Sequence, residues 1–273
     1  MRFFGDTFIL AAEECDFSQP MCAPENVVDL FVLPNIFGQV NRTILLMFLA
    51  AIIVIAVLWV ALRKPSIVPT KFQAAVEALV GFVRDEIAVG IIGADGIKYF
   101  PYLLSLFLFI LVGNLFEITP FINFPITSRM AIPGFLALVT YVIFVFMGFR
   151  KNGIRYFTDI VWPSYVPVGL RPLVGVVEFF STFFLRPFSL AVRLFANLVA
   201  GHVMLSLLLA TGYFFVVGTF TGDVSVLKGG VGILWFVMGL GIFAFEILVA
   251  VIQAYIFTLL SAFYIQTSVH PEH

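Results

Sequence analysis

Five apolar stretches organise the chain. Residues 43–62, TILLMFLAAIIVIAVLWVAL, carry no charge, and about 20 such residues span a bilayer core. Residues 99–118 and 131–149 predict two further spans. Two longer stretches follow, 171–217 and 228–268. At about 1.5 Å per residue, each exceeds the length that one perpendicular crossing needs. Each is either two spans or one strongly tilted helix. Polar residues inside them, and the lack of any dividing polar turn, favour tilt. The Arg186–Pro187 step is the expected kink.

Residues 70–92 follow a different pattern. Phe72, Val76, Leu79, Val80 and Val83 recur at helical spacing, with Lys71, Glu77, Arg84 and Asp85 off that stripe. This predicts an amphipathic helix at the membrane interface. Residues 1–38 are polar and broken by Pro20, Pro24 and Pro34. They are expected as an extracytoplasmic segment ahead of one transmembrane domain, 39–273. Cys15 and Cys22 lie in it, either as a disulfide or as free thiols. Arg63, Lys64, Lys71, Arg84 and Lys98 crowd the connection 63–98, and Arg150, Lys151, Arg155 and Arg171 the connection 150–171. The loops at 119–130 and 218–230 carry only Arg129 and Lys228. Five crossings with the N-terminus outside and the C-terminus cytoplasmic satisfy the positive-inside rule.

Composition agrees with this reading. Of 273 residues, 62% are hydrophobic and 11% charged, and 34 are Phe. Mean hydropathy is +1.10. So few charges cannot cover the surface of a soluble domain. The fold class expected is an all-α polytopic membrane protein. It has five membrane-crossing helices and one interfacial helix, the last two crossings forming a long antiparallel hairpin. A net charge of −1 offers nothing to nucleic acid. No cofactor or metal centre is expected.

The chemistry lies in the polar residues of the two long stretches. Arg193, Asn197 and Gly201 are spaced i, i+4, i+8 and predict one shared face, flanked by Ala196 and Ala200. Arginine cannot shed its charge, so Arg193 needs a negative partner. The small residues let another helix bring one close. Glu246 and Gln253 are spaced i, i+7 on the last stretch. Folding the two stretches about the 218–230 loop sets His202 opposite Glu246 at one depth and Arg193 opposite Gln253 at another. Such a pairing predicts one polar path through the bilayer. Glu117 and Asp223 are candidates for lining an outer aqueous entrance, and Glu178 for an inner exit. A lone transporter fits poorly, because no internal repeat is visible. A membrane enzyme fits poorly too, since two of the three histidines, His270 and His273, sit at the C-terminus.

RPFSLAVRLFANLVAGHVML (186–205) and FEILVAVIQAYIFTLLSAFYIQ (245–266) resemble the two signature stretches of subunit a of F-type ATP synthase, and the likeness extends over about 40–268. The resemblance implies that Arg193 is the family's essential arginine, with Asn197 and Gln253 its polar companions. His202 and Glu246 resemble the mitochondrial-type arrangement of the histidine and acid. FPITS (124–128) and the acidic N-terminal segment look like actinobacterial members. A bacterial plasma membrane is therefore the expected location, with the mitochondrial inner membrane as the alternative. The family's role is that of a non-catalytic, proton-conducting stator beside a rotating c-ring. Two offset half-channels would carry protons to and from the ring carboxylates. The implied partners are the c-ring, the peripheral-stalk subunit b, the rest of the complex and membrane lipid.

Overall fold

The computed structural model describes residues 35–37, 40–63, 68–119, 126–162, 166–222 and 224–270. The N-terminal segment with Cys15 and Cys22, and Asp223, lie outside the described residues. A small antiparallel ribbon, β1 (Asn35–Phe37) and β2 (Val40–Asn41), precedes an otherwise helical chain. The helices are α1 (Arg42–Leu62), α2 (Lys71–Phe82), α3 (Phe100–Ile118), α4 (Ala131–Asn152), α5 (Arg155–Val161), α6 (Arg171–Phe180), α7 (Arg186–Thr221) and α8 (Val226–Val269).

Five helical segments are long and apolar enough to cross a membrane: Thr43–Leu62, Phe100–Ile118, Ala131–Asn152, Arg171–Thr221 and Val226–Val269. The expected spans hold to within a few residues. The last, at 44 residues, measures about 66 Å, roughly twice a hydrocarbon core, so it must run strongly oblique to stay within one. No polar turn interrupts Arg171–Thr221. Its one irregularity is a wide π-helical stretch, Ser181–Leu185, immediately before the expected kink. There the Arg186 amide reaches back to the Ser181 carbonyl. Pro187 has no N–H to give Phe183, and the ladder opens just upstream of it.

The chain forms two compact units. One comprises the described residues up to Leu49, with Gly113–Ser128 and Ala196–Val251. In it, α7 and α8 pack backbone to backbone. A Cβ on Gly212 would lie 2.7 Å from the Phe236 amide nitrogen, and one on Gly232 would lie 2.6 Å from the Phe215 Cβ. Gly239 meets Leu209 and Gly229 meets Thr219 in the same way. The residue numbers of each facing pair add to nearly the same total, which is the signature of an antiparallel hairpin. Gly222, at φ 87°, makes its turn, in backbone space that favours glycine.

The other unit comprises Ala50–Val112, Arg129–Phe195 and Ile252–His273. Here buried hydroxyls join helices. Tyr102 and Thr140 share a hydrogen bond of 2.6 Å, and the Thr140 and Ser261 hydroxyls lie 3.5 Å apart. Asn152 donates to the Ser268 carbonyl, and the Tyr156 and Ser268 hydroxyls are 3.2 Å apart. Interhelical polar contacts of this kind replace the hydrophobic drive that lipid removes.

Helix α2 opens on a Thr70 cap, whose hydroxyl accepts from the Gln73 amide. It continues through a π-helical Val83–Val89 and a last turn, Gly90–Ile92. Its covered side carries Gln73, Val83, Ile87, Ala88 and Ile92. Phe72, on the apolar stripe expected at the membrane interface, is exposed. The wide turn re-phases the helix, so its second half buries a different stripe from the one the first half projects. Beyond it, Lys98 donates to Asp95 at 2.8 Å, and Lys151 sits 3.6 Å from the other carboxylate oxygen. The Lys98 hydrogen bond, then its charge, holds the Asp95 carboxyl below its usual range.

The glycine contacts give the first test. Gly212→Val forces a branched side chain into the α8 backbone, which cannot yield, at a cost of about 2 kcal/mol. Immunoblots of membranes should show clearly less chain, and less of it resistant to detergent extraction. Gly230→Ala, beside open space, should leave both unchanged.

Candidate functional site

Within the first unit, three ionisable side chains are withdrawn from solvent: His202 on α7, Glu246 on α8 and Glu117 at the end of α3. Their residual exposures are 1%, 6% and 2%. The hairpin register brings Glu246 against α7, as expected, but its immediate neighbour is Gly201. A side chain at Gly201 would collide with the Glu246 carboxylate. His202, one residue on, points its Nδ1 toward Glu117 Oε1 at 3.8 Å. That exceeds a direct hydrogen bond and suits a single bridging water. Among the described residues, Glu246 makes no hydrogen bond.

One expectation is corrected here. Gly201 does not share the face of Arg193 and Asn197. It is buried while they are exposed, because eight residues of α-helix advance about 80° beyond whole turns. Glu117, a candidate for lining the outer entrance, is a buried member of the helix, between Phe116 and Ile118.

Within the second unit, Arg193 lies exposed on α7. Among the described residues it makes no hydrogen bond and no ion pair. Arg186, seven residues earlier, shows what an accommodated arginine looks like in this unit. Its Nη1 donates to the Thr267 hydroxyl at 3.4 Å, and its guanidinium stands 5.4 Å from the centre of the Tyr264 ring. Gln253 is buried, and Glu178 on α6 is half-buried. Asn197, in the first unit, is exposed, as are Ala196 and Ala200 beside it. Asp223 lies outside the described residues.

Two buried polar residues near Glu117 escape a sequence-only reading. Asn114 and Thr127 are fully covered. The signal was present, since Asn114 stands one helical turn before Glu117 in an apolar run, but no charge drew the eye to it.

Comparisons with known proteins bear on this site. The family model described as ATP synthase A chain matches residues 44–266. The chain belongs to the ATP synthase subunit a family. It is 39% identical over 237 residues to ATP synthase subunit a of Frankia alni, covering 85% of this chain and 79% of that one. It is 40% identical over 230 residues to that of Pseudarthrobacter chlorophenolicus, covering 84% and 85%. With the Sphingopyxis alaskensis protein it shares 38% over 244 residues, covering 86% and 90%. The matched region contains every candidate residue named above.

The His202–Glu117 approach generates a double-mutant cycle. If the two side chains act on one proton, Glu117→Gln and His202→Gln should be non-additive in proton-transport rate by more than about 0.5 kcal/mol. Additive losses would mean that they act separately. Gly201→Ala, which takes space from the Glu246 carboxyl group, should slow transport on the order of tenfold without reducing the amount of chain in the membrane.

Proposed function

We propose that this subunit is the proton-conducting stator of a rotary ATP synthase and performs no catalysis itself. One observation carries the reading: Arg193 is a permanent cation on an apolar helix, exposed, flanked by alanines and without a counter-charge among the described residues. In hydrocarbon such a group is costly, and the usual remedy is a carboxylate. A neighbouring subunit that carries an acid at mid-membrane depth supplies it. The alanines leave room for that subunit to pass closely.

The partners on this reading are a ring of c subunits, the peripheral-stalk subunit b, the remaining complex and lipid. The membrane is the bacterial plasma membrane, as the bacterial relatives suggest, with the N-terminus outside and the C-terminus cytoplasmic. Protons enter one half-channel from outside, past Asp223, Glu117, His202, Glu246 and Asn197. Histidine and carboxyl groups exchange protons near neutral pH, which suits them to such a relay. The proton neutralises a ring carboxylate, which then turns into lipid at low cost. After nearly a full turn the carboxyl group reaches a second half-channel, with Glu178 along it, and releases its proton to the cytoplasm. Arg193 attracts the carboxylate so formed and favours its deprotonation. Its fixed charge also repels protons and blocks a direct leak between the half-channels. Each proton crossing 100 mV delivers about 2.3 kcal/mol, so several are needed per ATP.

Arg193→Ala should therefore abolish ATP-driven acidification of inverted membrane vesicles while the complex still assembles. Acidification at the unmodified rate would refute the assignment.

A further inference from the structure

Asn114 is fully buried, and both ends of its amide are engaged. Its Nδ2 donates to the Ala250 carbonyl at 3.4 Å, and its Oδ1 accepts from the Thr127 hydroxyl at 3.2 Å. Thr127 is fully buried too, in the short 3-10 turn Ile126–Ser128. Ile126, also fully buried, comes within van der Waals reach of a Cβ built on Gly113. One side chain thus ties the end of α3 to α8 and to the turn that precedes α4.

The places that it ties are those that carry the acids. Asn114 is three residues before Glu117, so the two share a face of α3. Ala250 is four residues after Glu246, so its carbonyl belongs to the turn directly following that acid on α8. The bond from Asn114 to Ala250 therefore sets the spacing of the two helices one turn away from Glu117, Glu246 and His202. Ala250 itself presents only a methyl group, which allows the approach. A buried amide is costly at each end left unmet. Any sliding of α3 along α8 breaks its bonds, so it opposes such movement. Lipid-facing apolar contacts hold register far less firmly.

From this we infer that Asn114, braced by Thr127, is a positioning residue that holds the Glu117 carboxyl group at its distance from His202 and Glu246. This rests on the proton path proposed above. Asn114 itself carries no proton on the path; it fixes where Glu117 stands.

The test uses the intact complex in inverted vesicles, with ATP-driven proton uptake measured across a pH series. Asn114→Leu keeps the branched outline of the side chain and deletes both hydrogen bonds. It should slow uptake on the order of tenfold and displace the pH profile. In a Glu117→Gln background the same substitution should produce no further displacement, because the group that it misplaces is gone. Thr127→Val, which exchanges only the hydroxyl for a methyl, should move the profile the same way by a smaller amount. Should Asn114→Leu fail to assemble, Thr127→Val alone, with and without Glu117→Gln, decides the matter. An unchanged profile in the assembled variants overturns the inference, and so does a displacement that persists undiminished without Glu117. Arg193→Ala, run in parallel, separates the two levels. If it is inactive while the Asn114 and Thr127 variants behave normally, only the positioning role fails. If it pumps normally, the proton path fails with it.

Discussion

A guanidinium that cannot discharge, on a helix built for lipid, is the constraint around which the rest is arranged. Arg193 has neither a bond nor an ion pair among the described residues, whereas Arg186 on the same helix is bound to Thr267 and packed beside Tyr264. On the proposed function, the difference is one of purpose. A cation satisfied within its own chain gains nothing from a passing subunit, and one left unsatisfied binds whatever carboxylate arrives. The alanines beside it remove the steric obstacle to that arrival.

The buried acids pose the complementary problem. Glu117 and Glu246 are withdrawn from water beside a histidine, and buried carboxyl groups without a permanent cation are costly in the charged state. On the proposed path such groups pass protons on. Gly201 makes space for one of them, and Asn114 keeps the helices that bear them in step. The exposed cation and the buried acids therefore call for opposite environments.

Much of this was legible in the residues. Apolar runs of about 20 residues, carrying at most the one acid Glu117, define the first three crossings, because a bilayer core calls for that length. The hairpin register followed from matching polar positions, and the glycine contacts Gly212–Phe236, Gly232–Phe215 and Gly239–Leu209 show why it holds. What escaped was local. The π-helical stretches at Val83–Val89 and Ser181–Leu185 shift the face that follows them, and a regular 100° projection cannot register that shift. Gly201 was assigned to the Arg193 face because eight residues were counted as two full turns. Asn114 was overlooked because a neutral amide looks unremarkable until its two partners are known.

The central claim is that a foreign carboxylate comes to Arg193. Cross-linking in native membranes tests it most directly. A cysteine placed at the exposed Ala196, in a background where Cys15 and Cys22 are serine, can be oxidised against cysteines set one turn from the mid-membrane acid of a ring subunit. The account predicts a disulfide to the ring that stalls ATP-driven rotation and is released by reductant. A cysteine there that never links to the ring, in a complex that still pumps protons, would contradict it.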